Sequence, residues 1–396
     1  MTVDKSMNST FFRKIADLFG VAGLFLRLGS TAFGGPAAHI ALMEQEIVVE
    51  RGWISRAEFL DLLGIVNLIP GPNSTEMAIF IGYRRAGWLG LLVAGICLIL
   101  PAALMVSVIA WGYVKFGKFP QAEGLFYGIK PVIIAVMVQA MWKLGWTAVK
   151  TRLLAVVGAG AVVLSCLGVN PLLVLLIPGL VMLVARAAFS PKGTVVCLTP
   201  LLGETPVFRL LSTAGSLAPF SLWPMFLFFL KVGAVMFGSG YVLVAFLRTD
   251  LVEHHQWLTE SQLLDAVSVG QFTPGPLLTT ATFIGYLLGG PWAALVATVA
   301  VFLPAFVLVA VIGPFATRLR QSRMAGAFLD GVNVASLALM VVVTWQLGRT
   351  ALVDWLTISF ALAAGVWMLF YRVNSTWLIL GGAALGLARY VLSTRP

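Results

Sequence analysis

The sequence predicts an all-α polytopic membrane protein of about 12 (10–13) transmembrane segments, built as two homologous repeats whose helices break at Pro-Gly-Pro. Three observations predict it. The first is composition: of 396 residues, 60% are hydrophobic and only 11% charged, with a mean hydropathy of +0.97. A soluble chain carries about 25% charged residues, so this apolar excess cannot be enclosed in one soluble core. The second is a duplication, and the third is a Pro-Gly-Pro triplet that occurs once in each copy. Together they exclude a soluble enzyme, a nucleic-acid binder and a disordered chain. The net charge of +10 reads first as the basic bias of cytoplasmic loops, although a basic interior would also suit an anionic ligand.

Taken in order, residues 1–14 read as a retained cytoplasmic tail. Arg13 and Lys14 precede an apolar run, but Asp17 interrupts it, Arg27 ends it, and no small-residue cleavage pattern follows. The first repeat, 15–187, carries apolar segments near 18–38, 58–82, 87–113, 125–148, 153–168 and 171–187. A linker, 188–218, is marked by Pro191, Pro200, Glu204 and Pro206. The second repeat, 219–393, carries segments near 222–246, 261–286, 291–316, 327–347, 351–370 and 376–393.

The duplication rests on register. Residues 25–72 align with 229–276 at a constant offset of 204, with 13 of 48 positions identical. FIGY at Phe80–Tyr83 then meets FIGY at Phe283–Tyr286, and LPA at Leu100–Ala102 meets LPA at Leu303–Ala305, at an offset of 203. Orientation is read from the loops. Arg84, Arg85, Lys150 and Arg152 follow even segments of the first half, whereas Arg318, Arg320 and Arg323 follow the third segment of the second. This alternation suits inverted repeats. Six spans per half with a non-crossing linker would instead leave the halves parallel, and Lys115 and Lys118 sit on the wrong side for inversion. Both orientations stay open, inversion being favoured.

Pro70-Gly71-Pro72 and Pro274-Gly275-Pro276 lie inside apolar segments. Two prolines remove two amide donors and disfavour helix in the residue before each. Broken backbone at membrane depth needs protein or a water-filled cavity to satisfy it, and the half-helix that resumes can aim its N–H groups at an anion. Asn73, Ser74 and Glu76 open that half-helix, and Thr279 stands in the matching stretch of the second half. Asn67 precedes the first break and Gln271 takes its place in the second. A simple proline kink without ligand is the bland alternative.

A second pattern is RLGSTAFGGP, matched by KVGAVMFGSG, which places Arg27 and Lys231 in apolar runs. A cation there is a candidate for function, against snorkelling to the interface. Phe33, Gly34, Gly35 and Pro36 suggest a second break or close helix packing. His39, replaced by Leu243 in the second half, is a candidate proton carrier or a packing residue. Asp61 and Glu76 are candidates for proton coupling, against packing carboxylates paired with arginine. Lys130 and Lys143 also lie within a span. Cys97, Cys166 and Cys197 form no CxxC, and the sequence holds no HExxH, P-loop or flavin motif. No cofactor, metal or enzymatic activity is therefore expected.

At FGGPAAHIA, PGPNSTEMAIFIGYRRAG and LPA, echoed at Phe237, Pro274 and Leu303, the sequence resembles the chromate ion transporter family in its long two-domain form. The resemblance implies a bacterial inner-membrane protein that extrudes chromate, confers chromate resistance and is driven by the proton motive force. It makes sulfate a competitor or exchanged ion. The expected partners are thus chromate or sulfate, protons and the lipid bilayer, with no nucleic acid and a homodimer left open. The combined expectation places the oxyanion on the N–H groups after Pro72 and Pro276, with Arg27 and Lys231 supplying charge. A transporter of another small anion is the alternative.

Overall fold

A computed structural model of the chain describes residues 3–33, 35–116, 120–188, 220–237, 240, 242–312, 323–371 and 375–393. Gly34, Lys118, Arg318, Arg320 and the expected linker, Ala188 apart, lie outside these residues. All regular structure among the described residues is helical. The first half contains α1 (Val3–Thr31), α2 (Gly35–Glu44, continued as a π-helical stretch Gln45–Glu50), α3 (Arg56–Val66), α4 (Asn73–Phe116), α5 (Pro120–Ala148), α6 (Arg152–Cys166) and α7 (Pro171–Ala188). The second repeats the order: α8 (Leu222–Val235), α9 (Val242–Leu247, continued as Arg248–His254), α10 (Glu260–Phe272), α11 (Thr280–Ile312), α12 (Arg323–Ala351), α13 (Trp355–Tyr371) and α14 (Ser375–Ser393). Six stretches are long and apolar enough to cross a membrane, within α4, α5, α7, α11, α12 and α14. Helix α1 already begins at Val3, inside the stretch expected as a tail.

Local chemistry sets the boundaries in both halves alike. Ser55 Oγ accepts the Glu58 N–H at 3.2 Å to start α3, and Thr259 with Gln262 forms a full capping box at the start of α10. The Pro-Gly-Pro triplets end these helices. Helix α3 stops at Val66 and α4 resumes at Asn73, while α10 stops at Phe272 and α11 resumes after a short 3-10 turn, Leu277–Thr279. Helix α4 is itself two arms. Ala86 and Gly87 leave helical geometry, Gly87 at φ 63°, and Gly82 lies backbone to backbone against Gly90. Eight residues of straight helix would separate those glycines by about 12 Å, so the arms fold back on one another.

The first two apolar segments of the first half are therefore hairpins. Asp17, midway along α1, bridges to Arg85 at 2.7 Å, and Gly20 packs on the Trp53 ring, over which Arg85 also lies at 5.2 Å. The chain thus goes in along α1, out along α2, in along α3 and out along the first arm of α4, returning each time to one end. In the second half, Phe220 meets both Trp257, at 5.5 Å between rings, and Gly289 in the same way. Segment one, read over 18–38, is broken in the structure at Ala32–Phe33, at the start of the Phe33–Pro36 pattern that suggested a break or close packing.

The inner turns of these hairpins meet at the centre. The Gly71 N–H donates to the Met236 carbonyl at 2.6 Å, and the Gly275 N–H donates to the Ala32 carbonyl at 3.0 Å. Each position maps onto its counterpart at offset 204, so the two bonds are related by a pseudo-twofold axis. The direction of that axis follows from α5 and α12. Tyr127 bonds Asp354 and Lys150 bonds Asp330. Parallel homologous helices would place Tyr127 beside Asp330, and Lys150 beside Val353 and its neighbour Asp354. The observed pairing is crossed, so α5 and α12 run antiparallel, as inverted repeats require. The halves also interleave: α5 packs on α13 and α14, and α12 on α6 and α7. Small residues allow it, Gly128 touching Gly382 and Gly331 touching Pro178 along their backbones.

Candidate functional site

The first Pro-Gly-Pro break faces a cavity of about 330 Å³ between the α3–α4 hairpin, α5 and α12. Asn67, which caps the end of α3, and Asn73, which opens α4, both line it. Asn73 Nδ2 donates to Asn67 Oδ1 at 2.7 Å. That bond occupies one acceptor and leaves the Asn67 amide group free to donate. Thr147 and Ala148 come from α5, Asn333 and Ser336 from α12, and Val242 from α9. The lining is neutral and largely hydrogen-bonding at its polar points. At about 30 Å³ per water, the cavity has room for roughly ten waters, or for a small oxyanion with part of its hydration.

Behind the break sits Glu76, wholly buried, with no partner for either carboxylate oxygen among the described residues. It lies directly beneath Gly71, whose missing side chain leaves room for it: a methyl there would overlap the carboxylate, whose Cδ would be 3.0 Å away. Ser74 and Thr75 are buried beside it, and the Thr75 hydroxyl also lacks a partner. His39 is buried on α2 and donates through Nε2 to the Ala32 carbonyl at 2.9 Å. That carbonyl is the one bonded by Gly275. A carbonyl only accepts, so the proton is on Nε2, and the buried Nδ1 is left as an acceptor without a partner.

The second half is chemically quieter. Thr280 replaces Glu76 and bonds its own turn through the Leu277 carbonyl at 2.9 Å, as Thr279 does through Pro276 at 2.9 Å. Leu277 replaces Asn73 and Leu243 replaces His39. Gln271 is half-buried before the break.

The two duplicated cations are not bare. Arg27 pairs with Glu46, and Lys231 pairs with Asp250 at 2.6 Å. Glu46 and Asp250 are themselves repeat partners, so each cation ties its hairpin together. The charge expected for an anion at Arg27 and Lys231 is thereby offset. Asp61 is exposed, whereas its counterpart Asp265 is buried against Lys130 Nζ at 3.1 Å and accepts from Tyr113 at 2.8 Å. Lys130 also reaches Ser261 at 2.6 Å. Lys143 is exposed, beside Trp142 and Trp146. Sequence reasoning missed Glu46 and Asp250, although offset 204 pairs two acids there, and it missed Thr147 and Ser336, which carry no motif.

Two groups at the ends of the molecule have shifted acidities. Burial against Trp257 pushes the His255 imidazole down, with Asp250 opposing. The Tyr127 hydroxyl and the Thr357 N–H hold the Asp354 carboxyl below its ordinary value.

A family model described as chromate transporter matches residues 19–183 and 223–387. The chain is 32% identical over 375 residues to a chromate transport protein of Cupriavidus metallidurans, covering 93% of this chain and 92% of that one. It is 31% identical to a probable chromate transport protein of Synechococcus elongatus, over 91% and 93% of the two chains. A chromate transport protein of Pseudomonas aeruginosa is 31% identical, over 93% and 91%. No solved structure matches the chain.

Proposed function

This chain belongs to the chromate transporter family, and we propose that it exports chromate from the cytoplasm across the inner membrane, with the oxyanion held at the first Pro-Gly-Pro break. The observation that carries the site is the hydrogen-bonded Asn67–Asn73 pair facing a cavity at the start of a half-helix. Chromate is a tetrahedral dianion. Amide and hydroxyl donors together with the positive end of a half-helix suit such an ion. Arg27 and Lys231 act in this reading as structural cations that hold the hairpins. Gln271, Ser74 and Thr279 stay behind the breaks and shape them.

Export needs an energy source, and Glu76 supplies the means to use a proton gradient. A buried carboxylate without a cation is costly in its charged form, so proton uptake and release there follows whether the cavity is hydrated. His39, with a buried acceptor nitrogen on the other half's break, is the second proton carrier in this reading. Asp61, exposed on α3, is a relay to solvent.

The test uses everted membrane vesicles at matched expression. Each hydrogen bond to a charged ligand is worth about 1.5–3 kcal/mol, so Asn73→Ala and Asn67→Ala lower the initial rate of chromate uptake tenfold or more at subsaturating substrate. Uptake at the wild-type rate in both variants overturns the site. Glu76→Gln keeps downhill chromate flux but loses accumulation sensitive to a protonophore. Sulfate belongs to the same chemical class as chromate, and competition by sulfate and molybdate in these vesicles separates a chromate transporter from a general oxyanion exchanger.

A further inference from the structure

We infer that Lys150 receives the oxyanion at the mouth of the cavity and that Asp330 is the internal carboxylate the substrate displaces. This rests on the transport reading above. Lys150 stands two residues beyond Ala148, and Asp330 one helical turn before Asn333; both Ala148 and Asn333 line the cavity. Lys150 Nζ and Asp330 Oδ1 are 2.7 Å apart. The pair therefore closes the end of the cavity where α5 stops and α12 starts.

Three lysine–aspartate pairs are described, and exposure distinguishes this one. Lys231–Asp250 and Lys130–Asp265 are buried, at 16%/5% and 18%/6% side-chain exposure. Opening either leaves a desolvated charge. Lys150–Asp330 is at 60%/33%, and a solvated pair contributes little to stability. A dianion carries twice the charge of a carboxylate and competes for the same ammonium. Lys150 can thus change partners where the other two lysines cannot.

The opposite end of the α5–α12 pair is built with reversed charge. The repeat counterpart of Asp330 is Tyr127, and Asp354 stands one residue after Val353, the counterpart of Lys150, so the latch at that end is a phenol on a carboxylate flanked by Arg389 at 3.6 Å. An anion arriving there meets an acid. The lysine end is also the end of Arg84 and Arg85. The second arm of α4 leaves it, and α5 returns to it, since Tyr113 and Phe126 meet at 5.5 Å at the far turn. A basic end is the cytoplasmic one, so Lys150 is placed to admit substrate from inside the cell.

The test is initial-rate chromate uptake into everted vesicles as a function of chromate concentration, for wild type, Lys150→Gln, Lys150→Arg and Asp330→Asn. Lys150→Gln raises the half-saturating concentration fivefold or more with maximal rate within twofold, and flattens its dependence on ionic strength. Lys150→Arg restores it. Asp330→Asn, which removes the competitor, moves half-saturation downward. A purely structural ion pair would be damaged in the same direction by both substitutions. Half-saturation unchanged in Lys150→Gln, or moving the same way in Lys150→Gln and Asp330→Asn, overturns the inference while chromate transport by wild type stands. A wild-type chain that moves no oxyanion overturns the transport reading itself.

Discussion

Gly71→Ala separates the two roles the first break performs. Gly71 sits at φ 146°, where a side chain strains the backbone by about 1–3 kcal/mol. Its new methyl would also overlap the Glu76 carboxylate. Carboxylate and methyl cannot share that space, so Glu76 must swing out of its niche, an overpacking cost of about 1–3 kcal/mol. The expected total is about 2–6 kcal/mol. Gly112→Ala is the control: it is helical, nothing lies within 4 Å of the added carbon, and the change should stabilise by about 0.5–1 kcal/mol. The assay is thermal unfolding in detergent followed by fluorescence-detected size exclusion, read alongside chromate accumulation. Gly71→Ala melts several degrees below wild type, whereas Gly112→Ala melts at or above it. Adding Glu76→Ala to Gly71→Ala removes the overlap and recovers the steric share only, a coupling seen by comparison with Glu76→Ala alone. Gly275→Ala has no such rescue. Its methyl would meet Ala102 Cβ at 2.6 Å and the Gly29 carbonyl at 3.2 Å, neither of which is a movable side-chain end. If Gly71→Ala proves as stable as Gly112→Ala, or Glu76→Ala relieves nothing, the placement of Glu76 under the break is refuted.

Other consequences are open to direct measurement. Lys231→Ala leaves the buried Asp250 facing only the His254 imidazole at 3.5 Å, a loss of about 3–5 kcal/mol, and Lys231→Ala/Asp250→Ala recovers most of it; equal yields of folded protein from both would contradict the tie. Lys130→Met strands Asp265 in the same way, and Asp265→Asn in that background restores the melting temperature; no restoration would show that the pair is not what holds α5 against α10. The His255 shift sets a pH dependence. Its folded-state acidity lies below the ordinary value of 6.5, so the folded chain binds fewer protons than the unfolded one around that pH. Its contribution is full above 6.5 and fades as pH falls through the lowered folded value. Melting temperature therefore drops on acidification from pH 7 toward 5, and His255→Gln makes that drop shallower; an unchanged slope would rule the imidazole out.

The broken helices were legible because proline chemistry is local. Two missing donors in an apolar run announce a break whatever surrounds it, and the duplication told which breaks correspond. Hairpins were not legible, because hydropathy measures how apolar a segment is and not whether it returns. The run 58–82 reads as one span, yet it folds back at Pro70–Pro72, between the end of α3 at Val66 and the start of α4 at Asn73. Arg27 and Lys231 were found as cations at membrane depth, but their partners stand 19 residues on, across a turn whose geometry only the fold supplies. Asn333, the repeat counterpart of Lys130, carries no motif that marks it as a cavity wall. Its role depends on α12 of one half lying antiparallel to α5 of the other.

The inverted duplication offers two equivalent breaks, and the chain keeps them structurally equivalent while making them chemically unlike. Both central N–H···O=C bonds are present, so each half seats its break on the other. Around Pro274–Pro276 the hydroxyls of Thr279 and Thr280 are spent on their own turns, and the nearby acid Asp265 is occupied by Lys130 and Tyr113. Around Pro70–Pro72, the Glu76 carboxylate and the Thr75 hydroxyl are buried without partners among the described residues, as is His39 Nδ1 beside the Ala32 carbonyl that seats the second break. Such orphaned groups each cost about 1–3 kcal/mol or more, a cost a fold carries where the groups are used. The same fold could have satisfied them with threonine and leucine, as its second copy does. The asymmetry supports the proposal that places oxyanion and proton chemistry at the first break, with the second break as the seat it is bonded to.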